Sequence, residues 1–320
     1  MSVSDPLVSI GIPNYNYSHY IIAALNSVIS QTYENIELII VDDLSTDNSI
    51  SVIEDWIQKY QGPVKIRFIK NKTNIGLTKV CNIILDNANG KYFQPLDADD
   101  MLLPEKIKRQ VKILEASKNA ALIYSNIGII DETGNIIEHD YLRRIGYDKD
   151  DMPQGNIFEK LLHFDFVPLP SVLINTDYAR MVGGFDETLQ VQDYYLWLKL
   201  SKQFETIFLP ENTALYREHT ASMSNSSLTN PKSLDSVLNI KFRYYKQCNK
   251  NVQKIIRADI HWASAYLYRY NYATAKSWLK KDFLLNTGFK SAIYYAAINL
   301  GIPYAFFEKL KSFLGITKPR

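Results

Sequence analysis

The chain has 320 residues, 46% hydrophobic and 22% charged, with a formal net charge of +2. That balance is close to an ordinary soluble globular protein with a sizeable core, in one large domain or two of usual size. Its two cysteines, Cys81 and Cys248, lie far apart and match no metal spacing, which excludes a disulfide scaffold and fits a reducing compartment.

The first six residues place no basic segment before an apolar one, so no secretory leader is expected. Residues 8–12 read as a short buried strand ended by Pro13, and Asn14, Tyr15 and Asn16 as a polar loop. Ile21, Ile22, Leu25, Val28 and Ile29 then recur at helical spacing. Residues 36–41 form a β-branched strand closed by the acidic run 42–47, in which Asp47 or Ser45 can cap a helix reaching Tyr60. Residues 64–69 are a third strand, 74–76 a turn, 77–88 a helix stopped by Asn89 and Gly90, and 91–96 a fourth strand. Alternating strands and helices imply βαβ crossovers and a parallel sheet. In open α/β sheets ligands bind beyond the carboxyl ends of the strands. The loops 13–16, 42–47 and 97–100 should therefore gather on one edge, and polar and acidic residues are concentrated in them.

The fourth strand runs into Asp97-Ala98-Asp99-Asp100. Three carboxylates in four residues repel one another. A hard divalent cation would remove that cost, whereas the plain alternative is a solvated turn ahead of a helix begun at Leu103-Pro104-Glu105.

The following part is less regular. Residues 120–124 and 128–130 read as strands, with a turn at 131–135 and a hairpin return at Ile136-Ile137. The polar stretch 139–153 suggests a mobile loop. Residues 171–174 read as a strand, 183–187 as a loop, 193–200 as a helix, and 206–209 and 213–216 as strands. Ser222–Ser227 is a break, so the domains expected are 1–228 and a helical 229–320. Within the latter, residues 263–279 suggest a helical hairpin with small packing residues such as Ala265 and Ala275. Residues 291–307 carry no charge but are interrupted by Asn299, Gly301 and Pro303. They suit a buried helix, or an interfacial one followed by Lys309, Lys311, Lys318 and Arg320, better than a membrane span.

Charge is divided as well. Residues 231–320 carry 16 lysines and arginines against 4 acidic residues, a net of +12, which leaves the first 230 residues at −10. A basic tail can meet an anionic membrane or nucleic acid, or be a solvated helical face.

Taken together, residues 8–10 with Pro13-Asn14-Tyr15-Asn16, residues 40–47, Asn74-Ile75-Gly76 and Leu96–Asp100 resemble family 2 glycosyltransferases over roughly residues 5–222. The resemblance implies the glycosyltransferase A fold, a Rossmann-like mixed sheet flanked by helices. It implies inverting hexosyl transfer from a nucleotide-sugar, usually a uridine diphosphate sugar, with Mn²⁺ or Mg²⁺ as cofactor. Carried over by motif, Pro13, Asn14, Tyr15, Asn74 and Gly76 would line the nucleotide site. Asp43 would contact the base and Asp42 support its loop. Asp97 and Ala98 would sit by the ribose, and Asp99 would bind the metal with Asp97 beside it; Asp100 reads separately as support for the positive N-terminus of the next helix. Gln192-Asp193 is similar to the family's Glu-Asp pair at a helix start, which makes Asp193 the expected general base, against the alternative of an N-cap aspartate. Gln192 departs from the usual Glu, and Val80-Cys81 from a common Ala-Arg, which puts donor and acceptor contacts there in doubt. Tyr216-Arg217-Glu218-His219 resembles a late family segment in which His219 would ligate metal or touch diphosphate and Arg217 would pair with phosphate.

The partners implied are a nucleotide-sugar and a glycan or lipid-linked acceptor, in polysaccharide or glycan assembly at the cytoplasmic face of the plasma membrane. Peripheral contact with anionic membrane through 231–320 is an expectation, a homo-oligomer is left open, and no nucleic acid is expected. The competing readings are a silent nucleotide-sugar-binding protein and a glycoside hydrolase, which would leave the loops at 42–47 and 74–76 without a purpose.

Overall fold

The computed structural model describes residues 5–220, 230–270, 273–286 and 289–313. The Ser222–Ser227 break, the boundary at 228, Tyr272, Lys318 and Arg320, and the side chain of Lys311, lie outside them. The chain divides into two compact units, Met1–Ser222 and Met223–Arg320.

In the first unit, strands β1 (Val8–Asn14), β2 (Ile36–Asp42), β3 (Lys65–Lys70) and β4 (Tyr92–Pro95) alternate with helices α1 (Ile21–Ile29), α2 (Ser49–Lys59) and α3 (Leu77–Asn87). All three pairings among these strands are parallel, with β1 between β2 and β4. β2 is buried at every position, and its run is apolar but for the terminal Asp42 and for Glu37, whose carboxylate accepts from the Ser9 hydroxyl and the Asn89 N–H. One expectation is corrected here: Pro13 does not end β1. The β4 ladder stops at the Gly11–Pro95 pair, so the missing N–H of Pro13 breaks nothing on that side, while the β2 register continues to Asn14–Asp42.

The remainder of the unit turns the sheet mixed. It contains β5 (Met101–Leu102), α4 (Lys106–Glu115), β6 (Ala120–Ile130), β7 (Ile136–Glu138), α5 (Tyr141–Arg144), α6 (Phe158–His163), β8 (Leu173–Asn175), α7 (Thr176–Met181), α8 (Gln192–Gln203) and β9 (Glu205–Arg217). The strand order is β3-β2-β1-β4-β8-β6-β9-β5, with β7 paired to β6. The two short strands expected at 120–130, and the two at 206–216, are each one long strand. Polar residues in their middles are paired rather than excluded: Ser125 and Thr213 hydroxyls lie 2.6 Å apart, and the register shifts on either side of Asn126. The expected loop 139–153 holds α5 and a 3-10 turn at Lys149–Asp151. Asp140 and Asp148 accept the Arg143 and Asp150 N–H groups as local caps, and Leu142 is buried.

The second unit is helical: α9 (Pro231–Tyr244), α10 (Lys250–Arg269), α11 (Ala275–Asn286), α12 (Phe289–Asn299) and α13 (Tyr304–Phe313). The hairpin of α10 and α11 buries Ala263, Ser264 and Ala275 rather than Ala265. The uncharged stretch 291–307 is split between α12 and α13. No helix among the described residues is long and apolar enough to cross a membrane.

Candidate functional site

Because β2, β1 and β4 are parallel neighbours, the loops that leave them share one edge of the sheet. The loops after β1 and β2 are stapled together. Asp42, fully buried, accepts from the Ser45 N–H at 2.8 Å, the Ser45 hydroxyl at 2.7 Å and the Asn14 amide at 2.7 Å. In return Asn16 Oδ1 accepts from Thr46 N at 2.7 Å, and Asp47 accepts from Ser18 N at 3.0 Å and Ser49 N at 2.9 Å. This arrangement holds two non-glycine residues at positive φ, Asn16 at 61° and Leu44 at 63°. Leucine rarely adopts that conformation, so the surrounding bonds must impose it.

Asp43 organises the next loop. Its carboxylate takes the Asn71 amide at 2.8 Å, Ile75 N at 3.0 Å and Gly76 N at 2.7 Å. Gly76 stands at φ 90° at the start of α3, a conformation suited to glycine. Asn74 is exposed on this loop, Tyr15 is 44% exposed at the rim, and Pro13 is half-buried. The Asn14 side chain keeps one buried oxygen, Oδ1, with no hydrogen-bond partner.

The acidic loop lies between β4 and β5. Leu96 N donates to Gly11 O at 2.9 Å at one end, and Met101 pairs with Leu215 of β9 at the other. Ala98 is buried beneath it. Asp97, Asp99 and Asp100 can each bring one carboxylate oxygen within 4.8 Å of the others. Burial first, then the charges of Asp99 and Asp193, push the Asp97 carboxyl up to about 8. Burial, Asp99 and Asp97 likewise hold Asp100 well above the usual carboxylate range, against the pull of Arg217.

Asp100 does not support a helix start. Two residues of β5 intervene, α4 begins only at Lys106, and Asp100 Oδ1 accepts the Arg217 backbone N–H at 2.9 Å. Its Oδ2 is buried with no hydrogen-bond partner. An orphaned carboxylate oxygen in a triad of crowded acids suits a hard divalent cation, and the residues fit Mn²⁺ or Mg²⁺.

His219 is 6% exposed, not a surface histidine. Its Nε2 lies 2.9 Å from Asp99 Oδ2, and its ring lies 5.9 Å from that of Tyr17 and 5.0 Å from that of Tyr20. Arg217 is 3% exposed, and its guanidinium is committed within the protein. Nε donates to Asp99 O at 2.9 Å and NH1 to Asp131 O at 2.9 Å, while the cation lies 5.0 Å from the Tyr20 ring centroid. The expectation that Arg217 pairs with phosphate is therefore corrected: it braces the acidic loop from behind.

Asp193 sits in the first turn of α8, after the N-cap Val191, so it is not the cap. Burial raises its carboxyl pKa, partly offset by the Tyr194 N–H and its own N–H. Asp165, which sequence reasoning missed, lies near enough to feel its charge. Burial and then the Asp193 charge push Asp165 up to about 8, with Val167 N at 3.2 Å pulling the other way. α6, just ahead of Asp165, packs on α8, where the Tyr194 hydroxyl donates to Leu161 O at 2.9 Å. Cys81 lies within reach of Asp97 and Asp193, and burial and those charges raise its thiol pKa well above the usual value, which rules it out as a ready thiolate. Its neighbour Asn82 ties α3 to the 183–187 loop, donating to Phe185 O at 3.0 Å and accepting from Phe185 N at 2.9 Å. Tyr20 and Asn82 were given no role by the sequence reading, which took Asn16 as part of a polar loop and Ser45 as a helix cap.

Comparison with known proteins agrees with this geometry. Residues 9–166 match the model of the family described as glycosyl transferase family 2. An uncharacterised glycosyltransferase of Haemophilus influenzae is 30% identical over 239 residues, 74% of this chain and 72% of its own length. One from Rickettsia prowazekii is 29% identical over 265 residues, covering 81% of this chain and 78% of the relative. Among solved structures, S. aureus TarS 1-349 in complex with UDP-GlcNAc superposes with a TM-score of 0.61 at 15% identity, covering 92% of each chain. Mannosyltransferase PcManGT from Pyrobaculum calidifontis, in complex with GDP-Man and Mn²⁺, gives 0.59 at 15% identity over 98% of this chain and 86% of that one. At such identities the likeness shows the fold alone, the glycosyltransferase A fold. The matched residues and the Haemophilus relative settle the affiliation: the chain belongs to glycosyltransferase family 2.

Proposed function

We propose that the protein is a metal-dependent inverting glycosyltransferase that moves a sugar from a nucleotide-sugar, a UDP-sugar by preference, to a hydroxyl of a glycan or lipid-linked acceptor. The observation that carries this reading is one edge holding both the Asp97-Asp99-Asp100 triad and Asp193, near enough that the Asp193 charge raises Asp97. TarS bound to UDP-GlcNAc and PcManGT bound to GDP-Man and Mn²⁺ support the donor class and the cation.

In this reading the loops at 13–16, 42–45 and 74–76 bind the nucleoside, with Asp43 and Asn14 nearest the base. Asp97, Asp99 and Asp100 hold the cation, and His219 orients Asp99. A bound Mn²⁺ or Mg²⁺ supplies Lewis-acid stabilisation of charge on the departing diphosphate. Asp193 accepts the proton of the acceptor hydroxyl. The oxygen forms its bond to the anomeric carbon as the bond from that carbon to the diphosphate oxygen breaks, so the configuration inverts. A raised carboxyl pKa suits Asp193 to that task, because a base works best near the ambient pH. The enzyme acts in polysaccharide or glycan assembly at the cytoplasmic face of the plasma membrane, with 231–320 as its membrane contact.

The test is nucleotide release from a panel of sugar donors, with Mn²⁺ and then with a chelator. Release should require the cation and should fall at least about a hundredfold in Asp99→Ala. Release that is indifferent to the chelator, or that no donor in the panel supports, overturns the proposal.

A further inference from the structure

Among the described residues, the second unit carries exposed apolar side chains at one end. α12 turns Ser291, Tyr294 and Ala297 inward, and α13 turns Phe307 inward. The exposed positions from 296 to 306 carry no charge. They include Leu300, 76% exposed, and Phe306, 61% exposed. The end of α10 lies against the same turn. The Tyr268 hydroxyl donates to Ile302 O, and its ring meets those of Tyr304 and Phe307 at 5.4 and 5.9 Å. Two residues on, Tyr270 is 50% exposed, with the Arg269 guanidinium 5.6 Å from its ring centroid.

A tyrosine, a leucine and a phenylalanine thus stand at one end of a helical unit. Large exposed apolar groups gathered together mark a contact surface. The charge of the unit says which contact. Residues 231–320 have a net charge of +12, which complements an anionic surface and opposes pairing with a second equally basic copy. With no membrane-crossing helix among the described residues, the contact is interfacial.

We propose that Tyr270, Leu300 and Phe306 seat this unit in the headgroup boundary of an anionic lipid surface, with the net positive charge of residues 231–320 drawing the unit to the headgroups. The proposal rests on the membrane placement given above and names the surface that makes the contact. Aromatic side chains favour that boundary, and a basic segment adds attraction that falls off within a Debye length.

The experiment is flotation of the full chain with vesicles of phosphatidylcholine alone, and of phosphatidylcholine with phosphatidylglycerol. The wild type should float with the anionic vesicles, and less so at high salt. Leu300→Asp with Phe306→Asp should lower the bound fraction about tenfold or more. Tyr270→Ser should lower it less. Nucleotide release with a soluble acceptor, together with helical circular dichroism, should be unchanged and so exclude misfolding. Equal flotation of wild type and double variant overturns this surface while leaving the membrane placement standing. A wild type that ignores anionic vesicles, yet still releases nucleotide, sinks both without touching the transferase reading. Equal flotation with neutral vesicles overturns the role of charge. A shift from dimer to monomer in the double variant, with flotation unchanged, assigns the face to a second copy instead.

Discussion

Asp193→Asn keeps the shape of the proposed base and removes its ability to take a proton. The turnover number with a true acceptor should fall about 10²- to 10⁴-fold, the usual worth of a general base, while donor affinity measured by titration stays level. Asp165 makes a different prediction. Its carboxyl holds its proton up to about 8 in the folded chain, far above the carboxylate range of an unfolded one. The folded state therefore binds this proton more tightly between these limits, and the contribution of Asp165 to stability falls as pH rises from about 4 to about 8. Asp165→Asn should flatten that slope in urea titrations of the ligand-free protein; an unchanged slope would show that Asp165 is ionised throughout. Asp193 could be singled out from the sequence because it belongs to a recognisable pair, Gln192-Asp193, at a helix start. Asp165 could not, because its meaning comes from α6 packing on α8, which no local spacing announces. Asp100 was misread for a similar reason: its partner, the Arg217 backbone, is 117 residues away.

Among the elements, the parallel half of the sheet was legible down to its loops. The inner strands there are buried along their length and end in polar turns, so periodicity and punctuation agree, while the edge strand β3 mixes exposed and half-buried positions. The mixed half was not, since β6 and β9 carry paired polar residues where a sequence reading places a break. Gly11 in β1 shows how tight the parallel half is. A Cβ at that position would sit 2.1 Å from Ile84 Cγ2 of α3 and 2.9 Å from Phe93 Cε2 of β4. Gly11→Ala should therefore cost about 1–3 kcal/mol of unfolding free energy through overpacking, read from the denaturant midpoint. It should also disturb donor binding, because Gly11 O holds Leu96 at the entrance to the acidic loop.

For the molecule as a whole, cation and fold are linked. An ion that binds only the folded state at a hundred times its dissociation constant adds about 2.7 kcal/mol of stability. For a unit of this size that is about 5–10 °C in Tm. Mn²⁺ should raise the melting temperature of the wild type by that order, and Asp99→Ala should abolish the rise. Equal shifts in both proteins would place the ion elsewhere. The division into an acidic and a basic part was plain from charge alone, and the helical character of 231–320 from its spacing. The apolar end at Leu300 and Phe306 was only partly visible: the sequence shows an uncharged stretch, but not which of its residues face outward.

The bracing of the acidic loop by β9 has a consequence for how the protein is made. Met101 pairs with Leu215, Asp100 takes the Arg217 N–H, and Asp99 meets His219, so one late strand and the residue two beyond it complete what an early loop begins. Contacts so distant in sequence form slowly and last. A growing chain that has emerged only as far as α8 already carries every acid of the triad, yet nothing holds them in register. Donor turnover should thus begin only after the ribosome has released β9, and ribosome-bound chains halted before Glu205 should neither bind the cation tightly nor consume nucleotide-sugar.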